Sequence, residues 1–327
     1  MDTFLGPAAR LLWRSEHAVQ IESGMRRVRI DGVTAPSVGH LVGRGTAAAP
    51  TDTVRLQAAL VESGFLWPAT TIEDDPRRAP PAPRLAAELA ALSVEHGERA
   101  AEVLNARTQC TVAIHGSGRA GPQVGALLAA AGVGRVHALE HGTVRLHQAL
   151  PGGLRTSDEG TRFDHATAGA VLRAAPESDT APPPLGDRPD LVVLGFDEPL
   201  DPDRRAGLHA RECAHLLVRL GADNGVVGPL VIPGLTSCLG CADLHRRDRD
   251  PAWDALAVQL SQPHRATSSS QVAVAAVVAG IAAMQALSFL DGGRPETIEG
   301  TLEMHPPDIR VRRRTWPPHP DCPCMIS

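Results

Sequence analysis

Apolar positions along the 327-residue chain fall into two kinds of run, and their order sets the expected architecture. Short, nearly unbroken apolar stretches occur at Cys110–Ile114, Arg135–Leu139, Leu191–Phe196 and Val226–Ile232. Runs of this length, bounded by turn residues, are buried strands. Between the first two lies a helical stretch that begins near Pro122, where a missing N–H costs nothing, and stops at Gly132. Leu85–Arg107 predicts a helix broken near Gly97, and Asp203–Leu220 predicts another. Strands near Thr297–Met304 and Ile309–Arg314 close the chain. Strands alternating with helices in this order predict an α/β fold built on a parallel sheet.

One apolar run could be mistaken for a membrane span. Val272–Leu290 carries no charge and is 19 residues long, or ~28 Å as a helix. It is mostly Ala and Val, with Gln271 and Gln285 near its ends and no aromatic belt. A helix buried inside the α/β domain is predicted, and no membrane partner.

The first 75 residues follow a different pattern. Ala18–Ile21 and Arg27–Ile30 are short β-prone runs joined by a hairpin at Glu22–Met25. Pro36–Val42 predicts a short helix. Thr51 and Asp52 can cap a second helix, from about Thr53 to Ser63, with apolar positions Val54, Leu56, Leu60 and Val61. Gly64 ends it, and Phe65, Leu66 and Trp67 return as a strand. This order suggests a winged-helix-like module, the alternative being an edge extension of the main domain. Glu73–Arg84 is a charged, proline-rich linker. A boundary at 76–84 then separates residues 1–75 from a larger domain, 85–327. Pro176–Pro189 is a second proline-rich loop.

Composition narrows the function. An apolar fraction of 43% suffices for a packed core, and a net charge of −5 gives no reason to expect nucleic acid. The chain has no Tyr and no Lys, so all 32 basic residues are Arg. Schiff-base chemistry and lysine contacts to phosphate are thereby excluded. The N-terminal stretch lacks the apolar core of a signal peptide. The six cysteines are not spread like a disulfide framework, which suggests the reducing cytoplasm.

Two motifs carry candidate chemistry. Gly116, Gly118 and Gly121 form G-x-G-x-x-G between a predicted strand and helix, and the next strand ends in Glu140. In that context the glycines permit close approach of a phosphate to a helix N-terminus, and the acid can hold a ribose hydroxyl. The alternative is that they only let helix and sheet pack closely. Asp197 ends the strand Leu191–Phe196 and could hold Mg²⁺ beside a triphosphate, or cap a loop. The second motif is Cys238-x-x-Cys241 with Cys322-x-Cys324. Four thiolates fit a tetrahedral, structural Zn²⁺ that staples the tail to the domain. Alternatives are reduced pairs, a redox disulfide, or His245 or His319 in place of one cysteine. Cys110 and Cys213 are expected to be core thiols. Arg310, Arg312 and Arg314 alternate with Arg313 and could share a strand face, which ordinarily meets solvent and less often an acidic peptide.

With these pieces placed, residues 85–324 resemble the ThiF-like, ubiquitin-activating-enzyme-like family. The resemblance rests on Gly116–Gly121, Gly132–Val136, Leu191–Asp197, Pro233 and Gly234 with Cys238 and Cys241, and the C-terminal cysteine pair. Glu140–Val144 is similar to that family's D-x-D-x-V stretch, with Glu140 as first acid and Gly142 in place of the second. The resemblance implies a Rossmann-like activating-enzyme domain, and in adenylating members ATP and Mg²⁺. The family's catalytic lysine has no counterpart, and Arg119 or Arg145, the cations on hand, are not neutral replacements. With residues 1–75, Pro151–Gly153 and His319-Pro320-x-Cys322-x-Cys324, the chain is most similar to the ThiF-like partner proteins of YcaO cyclodehydratases. That implies a non-catalytic protein that binds a precursor leader peptide and presents it to a cyclodehydratase in thiazole and oxazole formation. The alternative is an ATP-dependent adenylyltransferase acting on the C-terminus of a small ubiquitin-like or sulfur-carrier protein. A homodimer is compatible with either.

Overall fold

The computed structural model describes residues 3–41, 51–68, 82–197, 207, 212–260, 270–308 and 310–325. The chain divides into two compact units, Met1–Ala106 and Arg107–Ser327.

In the first unit, strands β2 (Arg10–Ser15), β3 (Ala18–Ser23) and β4 (Arg26–Asp31) form an antiparallel sheet in that order. Gly24 takes a positive φ at the predicted β3–β4 hairpin. β1 (Thr3–Leu5) pairs antiparallel with β5 (Leu66–Pro68). The helices Ala35–Leu41 and Thr51–Glu62 lie between β4 and β5 in sequence. Val19, Ile21, Ile30, Leu56, Leu60 and Phe65 share one core. Leu56 and Leu60 are fully buried, whereas Val54 and Val61 face solvent, so two of the four apolar positions on the second helix serve packing. The helices Ala86–His96 and Ala100–Arg107 break at Gly97 as predicted. Residues 73–81 of the proline-rich linker Glu73–Arg84 lie outside the described residues.

The second unit is a seven-stranded mixed sheet in the order β12-β11-β10-β9-β8-β6-β7. The strands are β6 (Thr111–His115), β7 (Arg135–Ala138), β8 (Leu191–Gly195), β9 (His215–Leu220), β10 (Gly225–Val231), β11 (Gly300–Met304) and β12 (Val311–Thr315). β7, β6, β8 and β9 pair in parallel, and β10, β11 and β12 continue antiparallel. One face carries the main core, packed by helices Gly121–Ala130 and Val272–Leu290. Helix Val272–Leu290 is long and apolar enough to cross a membrane by length and composition. Here Val274, Ala275, Val278, Ala279, Ala282 and Ala286 are buried in the sheet core instead. Arg107 anchors its end: the guanidinium meets both oxygens of Asp291 at 2.7 and 2.6 Å and also donates to Ala131 O.

Residues 203–206 and 208–211 of the predicted helix Asp203–Leu220 lie outside the described residues, and its last six residues are corrected by His215–Leu220. It is a strand paired on both sides, with β8 and with β10. Leu, His and Arg fit a helix locally, and ladder bonds on both edges override that preference. Cys213 is a buried residue just before this strand, not on a helix. Helices Phe163–Ala174, Leu239–Arg249 and Trp253–Leu260 complete the second unit.

Candidate functional site

The glycine turn joins β6 to helix Gly121–Ala130, at the carboxyl edge of the parallel strands. Gly118 N–H donates to Gly195 O at 2.7 Å, which ties the turn to the end of β8. Gly116 has φ +107°, and a Cβ there would stand 2.4 Å from Gly195 O. A Cβ on Gly118 would stand 2.5 Å from the same oxygen. Both positions therefore require glycine because of the neighbouring strand, whether or not a ligand binds. Gly121 is less restricted: its Cβ would lie 3.0 Å from Ile114 Cγ2.

Register brings the other acids to this edge. Ile114 pairs with Ala138, two residues before Glu140, and His115 pairs with Leu194, three before Asp197. Glu140 and Asp197 thus flank the turn on its two neighbouring strands. Gly142 O accepts from Phe163 N–H at 2.7 Å, so the position that departs from the D-x-D-x-V pattern starts the next helix.

Two side chains hold the turn: Gln148, to which nothing in the sequence pointed, and Arg119, which the sequence offered as a cation and not as a brace. Gln148 Nε2 donates to Ser117 O at 2.7 Å, while its Oε1 accepts from Arg145 N–H at 2.7 Å. Arg119 is buried at 9% exposure and donates to Ser270 O at 2.9 Å and Ala149 O at 3.1 Å. Its Nε has no partner among the described residues. The one cation inside the turn is thus committed to backbone carbonyls. Such long-range side-chain-to-backbone bonds leave no periodic signal in sequence. A cavity of about 670 Å³ lies nearby, lined by Ala149–Thr156, Ala170, Arg173 and Ala174, and the turn glycines do not line it.

The cysteines form a compact cluster that could hold a metal ion. Cys238 precedes helix Leu239–Arg249, Cys241 lies in its first turn, and Cys322 and Cys324 come from the tail. Sulfur separations are 3.9 Å for Cys238–Cys241, 3.6 Å for Cys238–Cys322 and 3.4 Å for Cys241–Cys324. Metal–sulfur bonds of ~2.3 Å place tetrahedral sulfurs about 3.8 Å apart, so the donor set fits. All four thiols are free, and Cys241, Cys322 and Cys324 are buried. Burial pushes the Cys322 thiol up to about 11 and raises Cys324 further, helped by neighbouring thiols. Burial also opposes ionisation of Cys241, but hydrogen bonds at backbone His319 and Cys238 and from the Cys324 and Cys322 thiols outweigh it. Its thiol lies below the ordinary value. A thiophilic cation would displace the remaining protons.

The two histidines considered as replacement ligands form a separate group with Asp248. His319 Nδ1 accepts from Asp321 N–H at 3.1 Å, leaving Nε2 to donate to Asp248 Oδ2 at 2.9 Å. His245 Nε2 faces Pro317 O at 3.0 Å. These bonds brace the tail against helix Leu239–Arg249.

No protein-family model and no curated protein matches the sequence. Solved structures do match its fold. Crystal structures of E. coli MccB with MccA-N7isoASN superpose with TM-score 0.70 at 16% identity, covering 99% of both chains. E. coli MccB with ATP gives TM-score 0.69 at 16% identity over 100% of both chains. PaaA gives TM-score 0.67 at 15% identity over 94% of this chain and 98% of its own. These are ThiF/E1-like fold proteins, and the chain shares that fold along its length.

Proposed function

We propose that this protein captures a precursor leader peptide and presents it to a YcaO-type cyclodehydratase, without activating the peptide itself. The observation that carries the peptide part is the full-length likeness to the microcin C7 biosynthetic enzyme MccB, solved in complex with N-formylated MccA. That likeness spans the N-terminal residues as well as the sheet domain. We read residues 1–75 as a winged-helix-like binding module and 85–327 as the activating-enzyme-like domain. β2 and β4 are the edges of the small sheet, and an extended peptide can add to such an edge through backbone bonds. Of Arg26, Arg27 and Arg29 on β4, Arg26 donates to Ser63 O and Arg29 pairs with Asp31 at 2.9 Å, so Arg27 in the first place favours acidic residues in that peptide.

Absence of activation is supported by chemistry. The chain has no lysine, and Nη1 and Nη2 of Arg119 donate to the protein's own carbonyls rather than toward a triphosphate, which leaves the exposed Arg145 as the other candidate cation. In this reading the glycine turn is a fold element, Glu140 and Asp197 are remnants, and the cysteines hold structural zinc. Reduced thiols for such a site suit the cytoplasm. A homodimer is compatible with this role.

A second reading has its own support. MccB has been solved with ATP and with AMPCPP, and here Glu140, Asp197 and the turn lie at one sheet edge. An ATP-dependent adenylyltransferase acting on a small protein or peptide C-terminus is that alternative.

The binding part is tested by calorimetry with the full-length chain and a peptide from a neighbouring short Cys/Ser/Thr-rich gene. Saturable binding that weakens with salt is expected. No binding by a folded chain would sink the reading.

A further inference from the structure

The antiparallel end of the large sheet carries a group of arginines that neither function above uses. Arg219 on β9, Val226 on β10, Glu303 on β11 and Arg312 on β12 stand in one row across four strands. Thr301 and Arg314 form the next row on the same face. Trp316 is 2% exposed and donates from Nε1 to Thr301 Oγ1 at 3.0 Å. Three guanidiniums converge on its ring: Arg246 at 4.7 Å, Arg249 at 5.4 Å and Arg314 at 5.6 Å from the centroid. Arg246 also lies 5.3 Å from the centroid of Trp253.

Charge is not balanced in this cluster. Arg314 pairs with Glu303 at 3.1 Å, Arg246 with Asp243 at 2.9 Å and Arg312 with Asp308 at 2.9 Å. Arg219 and Arg249 make no ion pair or hydrogen bond with the described residues. Burial lowers the affinity of Arg219 for a proton, the charge of Arg246 adds to this, and Glu303 and then Asp223 oppose it. Burial and the nearby Arg314 act likewise on Arg246. Partly buried like charges repel strongly and persist where an anion offsets them. Arg249 and Arg314 are exposed at the rim, while Arg219 and Arg246 lie deeper, so an anion can enter from solvent.

We propose that Arg246 and Arg249, over the Trp316 ring, together with Arg219 in the same cross-strand row as Glu303, form a binding site for a carboxylate group of a peptide. Planar guanidiniums match a carboxylate through paired N–H donors, and the indole holds them in place. Glu303 is the internal competitor: it already occupies Arg314 and tempers the field at Arg219. The site stands independently of the leader-binding module, because it uses only residues of the second unit.

The test is calorimetry of the full-length chain at fixed, low ionic strength. Probes are a blocked tetraglutamate peptide, a tetraglycine peptide with a free C-terminus, a blocked tetraglutamine peptide and inorganic phosphate. The first two distinguish side-chain from terminal carboxylates. Saturable binding of at least one of them, with none of tetraglutamine, is expected. Arg219→Gln should weaken it about tenfold, the size of one charge-assisted bond. Glu303→Gln should tighten it, a gain that general destabilisation cannot produce. Absence of binding by either carboxylate probe, binding of phosphate alone, or equal affinity in Arg219→Gln would overturn the assignment.

Discussion

The glycine turn and the cysteine cluster both look like ligand sites in sequence, but their surroundings differ. The bulk lost at Gly116 and Gly118 is replaced by the molecule's own backbone, since Gly195 O lies where a Cβ would fall. The turn is explained without any ligand. The four cysteines converge from segments about eighty residues apart, at 3.4 to 3.9 Å in the measured pairs, and packing does not explain why four sulfurs should meet. The glycine motif meets a need of the backbone, whereas the four thiols form a donor set that could hold a metal ion.

The largest expected effect tests the cysteine half. Purified protein should carry about one zinc per chain by elemental analysis. Cys241→Ser, at a fully buried position, should reduce this to a small fraction and make the tail sensitive to proteolysis. Full zinc retention with all four cysteines replaced by serine would remove the contrast.

A smaller effect tests the glycine half. Gly118→Ala should cost about 1–3 kcal/mol in unfolding experiments with no nucleotide present, because overpacking is paid in the folded state. Unchanged stability, with altered nucleotide binding, would mean that the turn is shaped for a ligand after all.

The smallest effect concerns a buried polar group with no assigned ligand. His137 on β7 is 3% exposed, and its Nδ1 has no partner among the described residues. Burial, then Arg135, hold its pKa below the ordinary value, against a smaller opposing pull from Asp179. The unfolded chain therefore binds the proton more readily. The neutral ring's contribution is intact above about pH 6.5 and is lost as pH falls from there toward the lower folded value. His137→Leu should flatten the decline of Tm on the acid side, and an unchanged slope would exclude His137 as its source.

Sequence made three of the four parallel strands, β6, β7 and β8, legible because they are short apolar runs and the helix between the first two is framed by Pro122 and Gly132. The cysteine pairs were legible because each pair is local, and only their meeting required the fold. Strand β9 was not, since His215–Leu220 suits a helix until both edges are paired. Gln148 and the bracing role of Arg119 were hidden for another reason: their partners, Ser117 O, Ala149 O and Ser270 O, are backbone atoms that any residue could supply. The N-terminal strands β1 and β2 did not stand out because β1 is three residues long and the consecutive Leu11, Leu12 and Trp13 of β2 break the alternation of a half-buried strand.

In the proposed function the chain handles a peptide without activating it. ATP–pyrophosphate exchange, measured with the full-length protein and the peptide of a neighbouring short gene, tests this most directly. Exchange at background is predicted. Robust exchange that disappears in Asp197→Ala would contradict the claim and establish the adenylyltransferase reading in its place.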